Sequence, residues 1–367
     1  MKLALFTYHA DFATGECFYR TITRSGVHVL KVGMAFGAGK SGVASMLDEL
    51  NDMADVELLF FVDPPGPNWP LGFENAAFPT VGYLIDVHRS IDVRLAYAPF
   101  FDHIFVAQKD FVEVIRNNSY ENVSWLPLGC DPEIHKQPSS ERDIEVGFVG
   151  KLGAKGTKRR EVLDIVLKKF HTNDVTQFYP PRDMAEIYGR SQIVFNASIG
   201  GDLNMRIFEA MASGALLVTD RIENGIHELF EEGKHYVTYS TAQEAIEKIR
   251  YYLANPKEAR EIAECANKLV LVEHTYSKRW GTICEILNGD IWGQARIRNV
   301  TYDQKRDFYA AVFEHLKLPY GIWRLARNSS SFRNVIALFR PWVRTILKKL
   351  NSIIPFTPNA IKTRLKR

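Results

Sequence analysis

The run from Asn196 to Asp220 combines residue types that can bind an anion and sugar hydroxyls. It reads NASIGGDLNMRIFEAMASGALLVTD: a loop of small residues, a helix with Arg206 and Glu209 one turn apart, a stop at Gly214, and a buried strand. A loop that feeds a helix N-terminus offers backbone N–H groups and the positive end of the helix dipole to an anion. A carboxylate one turn into that helix can hold sugar hydroxyls. Together these parts predict a nucleotide-diphosphate pocket.

A second cluster of basic residues follows the apolar run from Ile144 to Val149. The segment GKLGAKGTKRREVL places basic side chains at Lys151, Lys155, Lys158, Arg159 and Arg160. A strand, a glycine-bearing turn and a helix in this order predict another anion site. Because so many charges cannot all contact one ligand, most of them are expected to form a solvated face.

Two further candidates follow another apolar run. The segment YLIDVHRSID places Asp86 and His88 just past a predicted strand. The carboxyl end of a strand in a doubly wound sheet faces the ligand-binding cleft, and a carboxylate or histidine is the usual proton acceptor for a hydroxyl nucleophile. The sequence alone does not show which of the two residues would be the proton acceptor. The alternative is a hydrogen-bonded pair that only holds the loop.

One motif resembles a phosphate-binding P-loop but does not fit it. GMAFGAGKS, from Gly33 to Ser41, is followed by LLFFVDPP, which resembles the acidic partner strand and ends its apolar run at Asp63. The P-loop needs a glycine six positions before Lys40, where this chain has Met34. A nucleoside triphosphatase is therefore the weakest of the functions considered. The sequence also contains no convincing cluster of metal ligands, so no metal site is predicted.

A parallel α/β arrangement would position these residues. Apolar, β-rich runs alternate with helix-length segments, the rhythm of a parallel sheet covered on both faces. The predicted strands are Leu3 to Tyr8, Val27 to Val32, Val56 to Val62, Val81 to Ile85, His103 to Ala107, Val123 to Leu126, Ile144 to Val149, Gln192 to Asn196, Ala215 to Thr219 and Tyr236 to Tyr239. The predicted helices are Lys158 to Phe170, Asn204 to Ser213, Ala242 to Ala254 and Lys257 to Val272.

The alternation is interrupted once. The polar, proline-bearing segment CDPEIHKQPSSERD, from Cys130 to Asp143, is predicted to be an interdomain linker. We therefore expect one domain over residues 1–137, a second over 138–289, and a ligand-binding cleft between them. A helical extension over 290–319 follows.

Charge sets the C-terminal tail, residues 320–367, apart from the body. The tail has 11 Lys or Arg and no Asp or Glu, which leaves 35 basic and 43 acidic side chains in the rest of the chain. Its apolar residues follow helical spacing, with arginines mainly on the other side and Pro341 as a kink. We expect it to bind an anionic membrane surface. Docking on the body or on a partner is the alternative, and nucleic acid is the least favoured.

The remaining composition points to the cytoplasm. The first residues, MKLALFTYHA, contain an apolar run too short for a signal peptide, and no stretch reaches the length of a membrane span. The four cysteines, Cys17, Cys130, Cys265 and Cys284, form no CxxC pair and are expected to be reduced, mostly buried thiols. The predicted localisation is cytoplasmic and peripheral at the inner face of the membrane.

Several segments in their observed order resemble GT-B glycosyltransferases, most closely the CgeB-like (spore maturation protein) branch related to family 4. These are PTVGYLIDVH, FDHIFVAQKDFVEVI, VSWLPLGCD, IEVGFVGKLGAKGTKRREVL, NMRIFEAMASGALLVTD and NGIHELFEEGKHYVTY, with EAIEKIRYYLANPKEAREIAECANKLVLVEHTYSKRW after them. The resemblance covers roughly residues 1–289 and leaves out the tail. It implies two tandem Rossmann-like, doubly wound domains, with the acceptor bound in the first and the nucleotide sugar in the second.

The resemblance also implies roles. Glu209 matches the glutamate that bonds the ribose hydroxyls, and Arg206 would face the diphosphate. Arg160, or else Lys151, would neutralise the leaving diphosphate, and His88 lies near the position of a functional histidine in family 4. One position departs from the family.

That position is Gly201, where family 4 enzymes carry a second glutamate. Either the neighbouring Asp202 substitutes for it, or the backbone of Gly200 and Gly201 contacts the donor sugar. Asp202 could equally be the helix cap.

The resulting hypothesis is a glycosyltransferase that moves a sugar from a nucleotide-diphosphate donor to an acceptor hydroxyl without a metal or cofactor. A lipid-linked or cell-envelope glycan, as in polysaccharide biosynthesis, is the expected acceptor class. The alternative is a non-catalytic protein of GT-B shape that binds nucleotide sugars or serves as a scaffold. The sequence does not decide whether the donor nucleotide is UDP or GDP. It also does not decide whether the anomeric configuration is retained or inverted.

Overall fold

Two parallel β-sheets organise the chain. The computed structural model describes residues 2–7, 10–33, 56–63, 76, 78–89, 91–118, 120–136 and 141–287, together with 301, 303, 304, 307 and 311. The first sheet has six strands in the order β2-β1-β3-β4-β5-β6, and every neighbouring pair is parallel. Its strands are β1 (Lys2–Thr7), β2 (His28–Gly33), β3 (Leu58–Val62), β4 (Thr80–Leu84), β5 (His103–Val106) and β6 (Val123–Trp125).

The second sheet lies in the second half of the chain. Its four strands run in the order β10-β9-β8-β7, again all parallel. They are β7 (Ile144–Gly147), β8 (Ser191–Phe195), β9 (Leu216–Asp220) and β10 (Val237–Tyr239). Most strand residues in both sheets are buried, as expected when helices cover both faces of a parallel sheet.

Helices connect the strands. They are α1 (Thr14–Arg24), α2 (Ile91–Tyr97), α3 (Asp110–Arg116), α4 (Lys158–Val166), α5 (Pro181–Arg190), α6 (Met205–Ala212), α7 (Ile226–Leu229), α8 (Ala242–Ala254), α9 (Pro256–Glu273) and α10 (Tyr276–Ile286). Each strand predicted from the sequence is present, with bounds that differ by at most two residues. The prediction of an α/β fold with parallel sheets is confirmed.

The predicted helices also agree closely with the structure. The helix from Ala242 to Ala254 has the expected bounds, and α9 starts one residue early because Pro256 occupies its first turn. The helix expected from Lys158 to Phe170 ends at Val166 and continues as a short 3₁₀ turn, Leu167–Lys169. Tight turns of this kind are common at helix ends.

The last described helix, α10, returns to the first half and packs on α1. The Tyr276 ring lies 5.2 Å from the ring of Phe18 in α1. The Arg279 side chain donates to the carbonyls of Pro127 and Leu128, at 2.8 and 3.0 Å. The domain predicted over residues 138–289 thus ends in a helix that contacts the first sheet's helices, and one buried hydrophobic cluster contains residues of both halves.

The start of the predicted linker is buried, although its polar composition predicts an exposed segment. Cys130 forms an isolated bridge with Thr275, and Asp131 is fully buried. The Asp131 carboxylate pairs with Arg20 and Arg24 of α1, each at 3.0 Å. The described start of this segment is therefore tied to the first half rather than loosely exposed.

Several predictions lie wholly or mostly outside the described residues. They are the P-loop-like stretch from Met34 to Ser41, the extension 290–319 and the basic tail 320–367. Of the four cysteines, all free thiols, Cys17 and Cys130 are buried, while Cys265 is exposed. Among the described helices, none is long and apolar enough to cross a membrane.

Candidate active site

A cavity of about 390 Å³ lies where the carboxyl ends of both sheets meet. Its first-half wall includes Thr7 at the end of β1, Asp63 after β3 and Asp86 after β4; its second-half wall includes Val149 after β7 and Glu209 in α6. This is the edge at which open parallel sheets bind ligands. The other lining residues are Asp11, Phe12, Ala13, Thr14, Gly15, Cys17, Arg20, Ile85, Gln108, Leu128, Ile134, His135, Lys151, Arg159, Pro181, Met184, Tyr188, Ile199, Asp202, Asn204, Met205 and Arg206.

Two arginines share one aromatic ring in the second-half wall. The Arg206 guanidinium lies 4.5 Å from the Phe148 ring centroid, and the Arg159 guanidinium lies 5.8 Å from it. Arg206 also donates to Asn196 Oδ1 at 2.6 Å and to the Val149 carbonyl at 2.7 Å, which fixes its position. Gly150 makes this approach possible, since a Cβ there would lie 2.5 Å from Arg206 Nη2.

The two guanidinium groups lack a full set of neutralising partners. Arg159 Nε is buried and has no hydrogen-bond partner among the described residues. Burial, and secondly the charge of Arg206, lower the pKa of Arg159 to about 10. Two like charges held together beside a cavity are a favourable place for an anion such as a diphosphate.

The structure places Arg159, not Arg160, in this wall. Helix α4 begins after Thr157, whose hydroxyl accepts a hydrogen bond from the Arg160 backbone N–H at 3.3 Å. The Arg160 side chain instead pairs with Asp164 one turn later, at 2.9 Å. Consecutive helical residues point in directions about 100° apart, so the exact helix start decides which arginine faces the cavity. Lys151, the second candidate from the sequence, does line it.

The loop before α6 is held by its own side chains. The Ser198 hydroxyl and backbone N–H both donate to the Asp220 carboxylate, and the Gly201 N–H donates to Ser198 Oγ at 3.0 Å. Gly200 and Gly201 have φ angles of +69° and +79°, which favour glycine. A glutamate at Gly201 would therefore be strained in this loop.

The lining residues of that loop are Ile199 and Asp202, rather than Gly200 and Gly201. Asp202 accepts a hydrogen bond from the Ile199 N–H at 2.6 Å, and burial raises its pKa. The residue at the N-cap of α6 is Asn204. The interpretation of Asp202 as the helix cap is therefore wrong: its side chain closes the loop instead.

Glu209 is a buried carboxylate in the cavity wall. The residue is 6% exposed, and its neighbours in α6 are almost all buried. No hydrogen bond to its carboxylate occurs among the described residues; the nearest ion-pair atom is His135 Nε2, at 3.8 Å from Oε1. Burial raises the pKa of Glu209 to about 7, although the charge of Arg206 opposes the shift. Such a carboxylate gains free energy from a ligand that can donate hydrogen bonds to it.

His135 belongs to the site, although no sequence pattern predicts its place there. It lies in the segment predicted to be a linker, yet it is 4% exposed and lines the cavity. Its Nδ1 lies 3.2 Å from the Asp131 carbonyl, and its Nε2 has no hydrogen-bond partner within the described ranges. Burial lowers the pKa of His135 to about 4. A single histidine in a polar segment is not part of a periodic apolar pattern, so the sequence does not predict that it is buried.

The first-half wall contains Asp63 and Asp86 but not His88. Asp86, with a φ of +51°, lines the cavity, whereas His88 is exposed and lies outside the wall. Asp63 is buried, with one oxygen held by Arg94 and with Oδ1 unpartnered in the described part of the chain. Burial raises the pKa of Asp63 to about 6, against the effect of Arg94.

The sequence around Asp63 resembles the acidic partner strand of a P-loop, and this resemblance obscures its position at the cavity. The available signal was its position directly after an apolar strand, the same signal that selected Asp86. Among the described residues, no group of three or more His, Cys, Asp or Glu is arranged to hold a metal ion.

Comparison with known proteins bears on both halves. Residues 146–285 match a family model described as glycosyl transferase-like. This part of the chain is glycosyltransferase-like. No curated protein matches the chain in sequence, and the assignment to the CgeB-like branch stays a prediction.

Solved structures extend the likeness to the fold of both halves, which is similar to that of GT-B glycosyltransferases. HepE from Anabaena, solved with UDP and glucose, has a TM-score of 0.60 and 14% identity, covering 78% of this chain and 99% of that chain. A glycosyltransferase from Rickettsia africae has a TM-score of 0.59 and 13% identity, covering 79% and 99%. Sucrose-phosphate synthase from Thermosynechococcus elongatus has a TM-score of 0.54 and 11% identity, and the match covers 78% of this chain and 99% of that chain.

The buried state of Glu209 predicts a pH-dependent effect of Glu209→Gln on stability. The folded-state pKa of about 7 lies above the ordinary value of 4.5, so the folded protein keeps a proton that the unfolded chain releases. Wild-type stability therefore falls as pH rises from 4.5 to 7. Glutamine does not ionise, so the variant should gain up to about 3 kcal/mol over wild type by pH 8 and little near pH 4.5, since one pKa unit corresponds to about 1.4 kcal/mol.

Urea unfolding at several pH values measures this difference. Glu261→Gln, at an exposed position of α9, serves as the matched control and should show a constant difference from wild type. If the Glu209→Gln difference is also constant with pH, the carboxylate is not buried as described.

Proposed function

We propose that the protein transfers a sugar from a uridine diphosphate sugar to the hydroxyl of an acceptor and releases UDP. The observation that carries this proposal is the Glu209 carboxylate, buried without a hydrogen-bond partner in the described structure and three residues from Arg206. A carboxylate that accepts hydrogen bonds from ribose hydroxyls and an arginine pair that donates to a diphosphate fit one nucleotide in one cavity of about 390 Å³. The glycosyl transferase-like match over residues 146–285 supports the same chemistry.

Uridine diphosphate is named because of the structural neighbours. HepE from Anabaena was solved with UDP, with UDP and glucose, and with UDP-glucose. In the proposed complex, Glu209 accepts hydrogen bonds from the ribose, and Arg206 and Arg159 contact the diphosphate. Lys151 adds a third positive charge at the cavity wall. Arg159 takes the role that the sequence assigned to Arg160.

The arginine pair would act mainly in the transition state. As the bond between the sugar C1 and the diphosphate oxygen breaks, negative charge builds on the leaving group. Preorganised cations that bind this charge more strongly than the ground state lower the barrier. In this proposal the protein's own cations stabilise the leaving group, and no bound metal is needed.

The first-half wall would receive the acceptor. Asp63 lines the cavity; its Oδ1 is buried and unpartnered among the described residues, while Arg94 fixes the other oxygen. This oxygen is suited to accept the proton of the attacking hydroxyl. Asp86 would bind an acceptor hydroxyl beside it. The exposed position of His88 argues against the role that the resemblance suggested for it.

The acceptor is proposed to be a lipid-linked or cell-envelope glycan. The support is the basic tail over residues 320–367, with 11 Lys or Arg and no acidic residue, which suits an anionic membrane surface. Sedimentation with anionic vesicles tests this: the full chain should bind, and a chain ending at Leu318 should not. Equal binding by both would remove the argument for a membrane acceptor.

A second candidate is a nucleotide-sugar-binding protein without turnover. The observation that favours it is Gly201, whose φ of +79° disfavours the glutamate that family 4 enzymes carry at this position. Such a protein would bind UDP-glucose as tightly as an enzyme would. It would not release UDP when acceptors are supplied.

The donor site predicts selective stabilisation by uridine nucleotides. In a thermal-shift screen of UDP, GDP, ADP and CMP sugars, UDP-glucose should raise the unfolding temperature most. Ligand at 100 times its dissociation constant adds about 2.7 kcal/mol to the free energy of unfolding. The absence of a shift with every nucleotide sugar would refute the proposed function.

Two neighbouring arginines provide a matched pair for this test. Arg159→Ala should weaken UDP-glucose binding by roughly 10- to 100-fold, because hydrogen bonds to charged groups contribute about 1.5–3 kcal/mol. Arg160→Ala, which removes only the half-buried pair with Asp164, should change the affinity by about twofold at most, because Arg160 does not line the cavity. Equal losses in the two variants would contradict the assignment of Arg159.

The acceptor side predicts a loss of turnover without a loss of donor binding. Asp63→Asn removes the proton acceptor and should lower UDP release from UDP-glucose, with cell-envelope lipid extract as acceptor, by roughly 100-fold or more. UDP-glucose affinity should stay within about twofold, which also shows that the variant folds. His88→Ala should keep wild-type turnover. If His88→Ala is inactive while Asp63→Asn turns over normally, the two assignments are reversed.

A further inference from the structure

The polar atoms of His135 and Glu209 face each other in the cavity wall. His135 Nε2 and Glu209 Oε1 are 3.8 Å apart, and both side chains are less than a tenth exposed. The His135 Nε2 atom is buried without a hydrogen-bond partner among the described residues, and its nearest charged neighbour is this Glu209 oxygen. Buried polar atoms are almost always hydrogen-bonded, so this pair needs an explanation.

The contacts of His135 determine its tautomer. Its Nδ1 lies 3.2 Å from the Asp131 carbonyl oxygen, which can only accept, so Nδ1 carries the proton. Burial keeps the ring neutral at pH 7, because its pKa is lowered to about 4. The Nε2 atom therefore has a lone pair and no proton. It is an acceptor that faces Glu209, and the ionised form of that carboxylate also only accepts hydrogen bonds.

The Asp131 segment holds this acceptor in place. The Asp131 carboxylate is fixed by Arg20 and Arg24 of α1, each at 3.0 Å. Its backbone carbonyl accepts from both Nδ1 and the backbone N–H of His135. The direction of Nε2 is thus set by ion pairs to the first half of the chain, while Glu209 belongs to a helix of the second half.

A ligand with two donors can satisfy both acceptors at once. A vicinal diol meets this need, because each hydroxyl can donate to one acceptor. A cation is disfavoured, since Arg20 and Arg206 also line the cavity. Glu209 lies one turn beyond Arg206, and so the diol would belong to the same molecule as the anion bound by the arginines.

We propose that His135 Nε2 and Glu209 each accept a hydrogen bond from one of the two ribose hydroxyls of the donor, so that His135 makes the site selective for ribonucleotides. This inference rests on the proposed function, because it assumes that a nucleotide occupies the cavity. It adds a specificity-determining residue from the predicted linker.

Calorimetric titration with UDP, 2′-deoxy-UDP and 3′-deoxy-UDP tests the inference on the full chain. Wild type should bind one analogue roughly 10- to 100-fold more weakly than UDP, because that analogue lacks the hydroxyl on the carboxylate. It should bind the other about fivefold more weakly, because that analogue lacks the hydroxyl on the neutral nitrogen.

Variants at His135 identify which hydroxyl it binds. His135→Asn keeps an amide that can donate to the Asp131 carbonyl but has no acceptor at the Nε2 position. It should abolish the fivefold penalty and leave the larger one unchanged. His135→Gln can place its amide oxygen near that position and should restore part of the fivefold penalty. Glu209→Gln should reduce the larger penalty alone.

Three results would overturn this inference. Wild type could bind both analogues as tightly as UDP, a comparison that needs no variant to fold. His135→Asn could weaken UDP and both analogues by one common factor, as a purely structural residue would. If wild type does not bind UDP at all, the proposed function fails, and the role of His135 fails with it.

Discussion

The burial of one carboxylate in the wall between two sheets is the constraint on which the site depends. Glu209 is 6% exposed, and burial raises its pKa to about 7. Removing a carboxylate from water without hydrogen-bond donors costs free energy, and this cost shifts the proton equilibrium toward the neutral form. A ligand with hydroxyl donors recovers that cost. The buried carboxylate thus lowers the stability of the empty protein and at the same time favours ligand binding. Such a compromise between stability and function is common at functional sites.

The two parallel sheets bring the remaining groups to this carboxylate. Every strand of a parallel sheet ends at the same edge, so Asp63, Asp86 and Val149 reach one cavity although they are distant in sequence. Helix α10 then packs on α1, and Asp131 pairs with Arg20 and Arg24. The packing of α10 on α1 links the two halves, and the ion pairs of Asp131 hold its segment on the first half, so the position of His135 relative to Glu209 depends on both sets of contacts.

The strands and the core of the donor site could be predicted from the sequence because their signals are local. Apolar runs identify strands, and the spacing of Arg206 and Glu209 places both on one helix before any tertiary structure is known. The choice between Arg159 and Arg160 was not predictable, because it depends on where α4 begins. The burial of His135 depends on tertiary contacts that no local pattern encodes, whereas Asp63 directly follows an apolar strand and has the same local signal as Asp86. His88 also follows a strand end in sequence, yet its side chain is exposed and does not line the cavity.

The most direct test of the account is a crystal structure of the protein with UDP bound. We expect the ribose hydroxyls within about 3.2 Å of the Glu209 carboxylate and the diphosphate against Arg159 and Arg206. UDP bound at another place, or in this cavity with Glu209 out of contact with the ribose, would contradict the central claim that this buried carboxylate binds the donor.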